Sequence, residues 1–394
     1  MKILVMSLPL HNNYGGFLQN FALCSYLKNS GHDVISCRWA ESNCGARLPN
    51  WRKPFVYLKR LIKKQELRYE KRISKEYAVV NKHFFDFQEK YIPLSEEKFS
   101  NAKELLDFIK KYKIEAVVIG SDQVWRKAYP SKSILNKIIK TNVFPSLFTY
   151  FADFLPTDSN VKILSYAASF GVDYMEYSEE EKQKILPLLS RFDKIGVREH
   201  SGKILINAGY SWNLPVDSVI DPTMLLEVER YKKMIESIGR FRFEKGIFSY
   251  VLDQSDAFPV IMDCVKTVLN IQQVNTVFLG SSDPNVPVEK RILPSVEIWL
   301  KNIAEAEFVV TDSFHGTVFS ILFNKPFLVV GNVGRGNARF ESLLSLFGLE
   351  NRMLSSENTV ESIVKTPIDW NRVNDILNTE REKSKKFFNI GLGV

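Results

Sequence analysis

The stretch TDSFHGTVFS, Thr311 to Ser320, carries a lone histidine, His315, between the apolar runs Phe308-Val309-Val310 and Ile321-Leu322-Phe323. A histidine at a strand-to-helix turn can donate a proton near neutral pH, although taken alone a packed turn residue explains it more simply. Asp312 and Ser313 beside it have the side chains of helix N-caps. Arg335 and Arg339 lie downstream. In GVRE, Arg198 stands where a buried strand gives way to a helix; it can grip a phosphate or carboxylate through two N–H groups, or simply pair with Glu199 at the surface. GSDQVW offers the carboxylate of Asp122, the amide of Gln123 and the aromatic face of Trp125. Together they suit a sugar, through hydroxyl hydrogen bonds and ring stacking; the plainer alternative is an Asp122 N-cap and a core Trp125. NNYGGFLQ contains Asn13, Tyr14, Gly15, Gly16 and Gln19 and opens a helix, whose first amides favour an anion or a closely packed ligand. It is neither a GxGxxG fingerprint nor a P-loop, so a glycine turn accounts for it as well.

The elements around these stretches follow one grammar. Lys2–Met6 reads as a buried strand, Phe17 to Leu27 as a helix and Asp33 to Cys37 as a second strand, a βαβ unit that predicts a parallel sheet. Helices are expected over 102–111, 179–189 and 199–207, and strands over 114–119, 162–166 and 194–197. Pro215 and Pro222 then bracket Val219-Ile220 and break the pattern. Beyond them strands are expected over 246–252, 276–279, 308–310 and 326–330, and helices over 257–269, 295–304, 317–323 and 373–388. The expected division is an N-terminal α/β domain over 1–215 with a basic helical insertion at 45–95, a C-terminal α/β domain over 216–372, and a helical tail over 373–394. All four polar stretches fall at the C-terminal ends of strands, where a cleft between two α/β halves would bind its ligand.

Bulk properties narrow the class. A chain of 394 residues is long for one core. No apolar run approaches the about 20 residues that span a bilayer, and the N-terminus reads as a first strand rather than a signal peptide. Cys24, Cys37, Cys44 and Cys264 form no CxxC pair, and no Cys/His cluster has zinc spacing, so no metal is expected and reduced cytosolic thiols are. From Arg47 to Lys90 there are thirteen Lys or Arg against five Asp or Glu, so this segment carries an excess equal to the whole net charge of +8. Phe55, Leu58, Leu61, Ile62 and Leu67 suit a helix with one apolar stripe and a basic face, either packed and solvated or set against an anionic membrane. No nucleic-acid motif accompanies the charge, so nucleic acid is not expected as a partner.

NNYGGFLQNFAL, GSDQVW, FADFLPTDSNVKILSYAASFG, GVREHSGKILI, DPTMLL, VVTDSFHGTVFSILFNKPFLVV and ARFESLLSLFGLENR, in this order, resemble the polysaccharide pyruvyl transferase family from about residue 3 to 352. The resemblance implies a glycosyltransferase-B-like pair of Rossmann-like domains facing a cleft. It also implies transfer of the enolpyruvyl moiety of phosphoenolpyruvate to a sugar, closing a pyruvate ketal and releasing phosphate, with no cofactor besides that donor. By the same resemblance the acceptor is a precursor of a capsule, exopolysaccharide or cell-wall polymer, often carried on a polyprenyl diphosphate. The enzyme would then work in the cytoplasm, peripherally at the inner membrane face through residues 47–90. His315 matches the family's catalytic histidine, Arg198 its donor-binding arginine, and Arg339, nine positions before Gly348-Leu349, its downstream basic residue. Ser313 stands where many members have arginine, and Arg335 is the nearby cation that could replace it at the donor. Asn13, Tyr14, Gly15, Gly16, Gln19, Asp122, Gln123 and Trp125 would hold the acceptor. Two rivals share these features. One is a nucleotide-sugar glycosyltransferase in the same cleft, with Asp253 as the candidate acid; the other is a non-catalytic protein that binds membrane surfaces through the basic segment.

Overall fold

The computed structural model describes residues 1–10, 13–40, 76–127, 144–239, 244–253, 255–277, 286–331 and 337–393. Six strands, β1 (Lys2–Met6), β2 (Asp33–Ser36), β3 (Ala116–Ile119), β4 (Lys162–Ala168), β5 (Lys194–Val197) and β6 (Val216–Ser218), form a parallel sheet in the order β2-β1-β3-β4-β5-β6. Four more, β7 (Ile247–Tyr250), β8 (Val274–Thr276), β9 (Phe308–Thr311) and β10 (Phe327–Val329), form a second parallel sheet in the order β10-β9-β7-β8. The two doubly wound α/β halves expected from the alternating pattern are therefore present. Their strands read as near-continuous apolar runs, AVVI in β3 and FVVT in β9, because both faces are covered by helices.

The helices that matter below are α1 (Tyr14–Asn29), α2 (Lys82–Tyr91), α3 (Ala102–Tyr112), α4 (Glu179–Leu189), α5 (His200–Ile204), α6 (Val228–Glu236), α7 (Phe258–Leu269), α8 (Val296–Glu305), α9 (Phe314–Leu322), α10 (Ala338–Phe347), α11 (Val360–Lys365) and α12 (Trp370–Leu392). Alternate strand residues divide the core. Ile3, Val5, Val118 and Leu164 face α1 and α12, while Leu4, Met6, Val117, Ile119 and Ile195 face the α3 and α4 side. In the second sheet, Phe248 and Val309 join the first of these clusters, and Ile247, Phe308 and Val310 pack on the side of α7 and α11. One apolar cluster thus runs through both halves. Tyr14 of α1 makes the joint: its ring stacks on Trp299 of α8 at 5.2 Å and 9°, and its hydroxyl donates to the Pro294 carbonyl at 2.9 Å.

Several boundaries differ from expectation. The first sheet takes in Val216–Ser218, beyond the division expected at residue 215. α9 starts at Phe314, three residues before the expected start, because Ser313 caps it, with its Oγ accepting from Gly316 N at 3.3 Å. The 199–207 helix is α5 followed by a wider turn over Leu205–Gly209. β8 lies at Val274–Thr276, earlier than the expected 276–279. α12 spans Trp370–Leu392 and packs on the first sheet: Phe388 stacks on Tyr166 at 4.5 Å, and a Cβ on Gly391 would lie 2.5 Å from Leu164 Cδ2. Of the basic segment, α2 lies within the described residues; Phe55, Leu58, Leu61, Ile62 and Leu67, with the membrane reading that depends on them, lie outside. Among the described residues no helix is long and apolar enough to cross a membrane.

Candidate active site

The strand ends meet at one carboxylate. Asp221 follows β6, and Pro222 behind it opens a short turn of helix. Its Oδ1 accepts from Thr223 N at 3.0 Å and from Thr223 Oγ1 at 2.7 Å. Its Oδ2 faces three nitrogens from three elements. Gln19 Nε2 of α1 donates at 2.6 Å, Arg198 Nη1 from the end of β5 donates at 3.3 Å, and His315 Nε2 in the first turn of α9 stands at 3.6 Å. The Asp221 side chain is 0% exposed and that of Arg198 is 3% exposed, so these are desolvated charges, stable only because they are paired. Burial alone would push the Asp221 carboxyl up; the His315 and Arg198 charges and the Thr223 hydroxyl outweigh it and hold the group well below the ordinary carboxylate range. Burial likewise acts against the Arg198 cation, and Glu199, Asp221 and Asp122 more than restore it.

Each partner is held in turn. Gln19 also donates to Ser121 Oγ at 2.7 Å, tying the hub to the end of β3. Arg198 Nε donates to Glu199 Oε1 at 2.9 Å, and the same oxygen accepts from Ser169 Oγ at 2.8 Å. The Arg198 guanidinium carbon lies 4.5 Å from the centre of the Phe314 ring. The His315 ring is walled by Gly15, where an added Cβ would sit 1.9 Å from Nδ1, so only glycine fits there. Gly316 is constrained the same way by Thr311 Oγ1, 2.4 Å from its would-be Cβ. Three buried polar atoms of the hub, Arg198 Nη2, Gln19 Oε1 and His315 Nε2, have no hydrogen-bond partner among the described residues.

A cavity of about 480 Å³ opens beside the hub. Arg198, Asp221, Phe314 and Arg339 of α10 are among its lining residues, and the Arg339 guanidinium carbon lies 5.8 Å from the centre of the same Phe314 ring. Asp173, Glu341 and Glu380 are carboxylates on the rest of the wall. Two cations on one aromatic ring at the mouth of the hub can hold an anion, with the imidazole edge 3.6 Å from a carboxylate oxygen of the same wall. Among the described residues no group of three His, Cys, Asp or Glu side chains could hold a metal ion.

The structure brings Arg198, Arg339 and His315 together from three parts of the chain and rearranges the other candidates. Arg198 does not offer a two-pronged fork, because Glu199 and Asp221 occupy two of its nitrogens. The Arg198–Glu199 pair is buried, not at the surface. Ser313 is an N-cap, and its own N–H bonds Thr311 Oγ1 at 3.0 Å. Asp312 accepts from Leu252 N and Asp253 N, pinning the loop after β7, so Asp253 belongs to that turn. Trp125 corrects the stacking expectation: it is 0% exposed, stacks on Phe151 at 5.3 Å and donates its Nε1–H to Tyr150 O. Tyr14, at the joint, and Gln19, in the hub, are likewise buried and occupied, and Gly15 faces the histidine. Asn13 caps α1 through Gly15 N at 3.1 Å, and Gly16 lies beside it. Asp122 caps no helix. It accepts from Gln123 N at 2.8 Å and holds a left-handed φ of 90°, a strain of the kind found at functional sites. Gln123 Oε1 accepts from Arg126 Nη1. Arg335 lies outside the described residues. Asp221 itself was passed over: in DPTMLL the proline reads as punctuation, and the acid before it as the first residue of a turn.

The family model for polysaccharide pyruvyl transferase matches residues 13–333. No curated protein matches the chain significantly. Among solved structures, the chain is similar to a UDP-N-acetylglucosamine 2-epimerase from Rickettsia bellii, with 12% identity, 100% of this chain and 96% of that one covered, and a TM-score of 0.48. A glycosyltransferase from Rickettsia africae shows 13% identity, coverage of 99% and 96%, and a TM-score of 0.46. MurG of Acinetobacter baumannii shows 9% identity, coverage of 97% and 94%, and a TM-score of 0.41.

Proposed function

The chain belongs to the polysaccharide pyruvyl transferase family, and on that footing we propose that it transfers the pyruvyl group of phosphoenolpyruvate to a sugar of a polysaccharide precursor, closing a ketal and releasing phosphate. One observation carries the reading: Arg198 and Arg339 both stand over the Phe314 ring in the lining of one cavity, beside the hub that holds His315. Phosphoenolpyruvate bears a carboxylate and a phosphate, and two separated cations match that pair. A cavity of about 480 Å³ lies within the range of small-molecule sites.

In this reading His315 gives its proton to the methylene carbon of the enol. The positive charge develops at the adjacent carbon, one sugar hydroxyl attacks it, and that hydroxyl's proton returns to the imidazole. The second hydroxyl then displaces phosphate, whose leaving oxygen takes up the second proton. Arg198 Nη2 and the Arg339 guanidinium stabilise the phosphate as its charge grows, the kind of preorganised field that lowers such barriers most. The carboxylates Asp173, Glu341 and Glu380, which also line the cavity, accept hydrogen bonds from sugar hydroxyls. A polyprenyl-diphosphate carrier and an anionic membrane surface suit an acceptor of this class.

The test is incubation with phosphoenolpyruvate and a panel of lipid-linked glycans, following phosphate release and the mass of the glycan. Phosphate released in step with a pyruvylated glycan supports the proposal. Thermal stabilisation by UDP but not by phosphoenolpyruvate would sink it in favour of nucleotide-sugar transfer.

A further inference from the structure

We propose that Asp221 is the positioning residue of this site, a single carboxylate that fixes the histidine and the arginine as one unit across the two halves. Its two oxygens are used differently. Oδ1 is anchored locally by Thr223 N and Oγ1, which sets the plane of the carboxylate. Oδ2 then faces nitrogens from α1, the end of β5 and the first turn of α9, at 2.6, 3.3 and 3.6 Å. The side chain is fully buried, so no water competes for that oxygen. Gly15 closes the opposite edge of the imidazole by lying against Nδ1, leaving Nε2 as the nitrogen turned to the carboxylate. The ring is thus bounded on both sides, with Nε2 turned to the carboxylate at ion-pair distance. The same carboxylate orients Arg198 over Phe314 while leaving Nη2 unused. Asp221 sits where the chain passes from the first sheet towards the second, so the hub is assembled only when the two halves are docked.

Two consequences separate this role from mere support of the fold. Removing a negative charge beside an anion site does not weaken the anion, whereas removing the carboxylate behind an acid histidine slows turnover by about 10²–10⁴-fold. Asp221→Asn is therefore expected to lower kcat for phosphate release by at least about a hundredfold, while the Kd for phosphoenolpyruvate, measured calorimetrically, stays within about threefold of wild type or tightens. In long-range proton–nitrogen spectra of the resting protein, with His315 assigned by its loss in His315→Gln, the proton resides on Nε2 in the wild type and redistributes over both ring nitrogens in Asp221→Asn. Thr223→Val, which deletes the 2.7 Å bond to Oδ1 and keeps the side-chain shape, is expected to reproduce both effects in weaker form. The proposal is overturned by an Asp221→Asn protein that turns over within about threefold of wild type, by equal losses in kcat and donor affinity, or by unchanged ring-nitrogen signals. If Asp221→Asn does not fold, Thr223→Val decides, and unaltered turnover together with unaltered ring signals in that variant overturns it. The turnover arm rests on the pyruvyl-transfer reading, but the ring-nitrogen arm does not. If the wild-type protein neither binds phosphoenolpyruvate nor releases phosphate, that reading falls, and the spectra alone judge Asp221.

Discussion

The polar hub around Asp221 and the aromatic loop around Trp125 lie at strand ends of the same sheet and are built in opposite ways. Trp125 has the side chain of a sugar platform, yet it is fully buried, and its one polar atom is spent on Tyr150 O. Asp221 has the side chain of a turn residue, yet three nitrogens from distant parts of the chain converge on one of its oxygens. The aromatic side contributes stability through area and fit, and the polar side contributes function through charges kept dry and paired. Residue type therefore misleads at both places, and the number of occupied polar atoms is the better guide.

The largest expected effect tests the polar side. His315→Gln should lower phosphate release from phosphoenolpyruvate and acceptor by about 10²–10⁴-fold with an unchanged melting temperature; normal turnover would remove the hub from the chemistry. Trp125→Ala tests the aromatic side and should cost about 3–5 kcal/mol of stability in urea unfolding. A variant of wild-type stability with a raised KM for the acceptor would instead restore Trp125 as a sugar contact. Gly15→Ala joins the two, because its methyl would collide with the imidazole. It should destabilise by about 1–3 kcal/mol and depress turnover well below that of Gly16→Ala, whose methyl meets nothing closer than Asn13 Nδ2 at 3.6 Å. Equal turnover in the two variants would show that the ring is not held from that side. Arg339→Ala should weaken phosphoenolpyruvate binding about tenfold, read by calorimetry, and leave stability intact. The smallest effect is on acid stability. Because Asp221 is held below the usual carboxylate range, its stabilisation is complete above the unfolded-chain value of about 3.9 and is lost as pH falls below it. The urea midpoint of Asp221→Asn should accordingly fall less steeply than that of wild type between pH 4 and the acid limit of the folded state.

Periodicity made the fold legible. Runs such as Ala116–Ile119 and Phe308–Thr311, each followed by a polar turn and a helical stripe, lead to two parallel sheets without any tertiary information. Boundaries were less legible, because capping decides them locally: Ser313 starts α9 at Phe314, ahead of the apolar stripe that signalled the helix. In the site, His315, Arg198 and Arg339 were visible because each follows a strand or opens a helix in a recognisable segment. Asp221, the place of Gln19 in the hub and the Gly15–His315 contact were not, because nothing in a linear pattern says that residues separated by some 200 positions will share one oxygen. The burial of Trp125 and Tyr14 was hidden for the same reason: a loop tryptophan and a core tryptophan are spelled alike.

The last long helix has a bearing on how the protein is made. Arg381 of α12 donates to the carbonyls of Met224 and Leu226 and pairs with Glu227, gripping the segment that begins at Asp221. Phe387 and Phe388 of the same helix cover Tyr166 of β4. The half of the molecule that leaves the ribosome first therefore lacks one of its walls until α12 has emerged. A nascent chain stalled anywhere before α12 would carry every residue of the hub but not the brace that sets Asp221, so the hub would be completed only once α12 has been made.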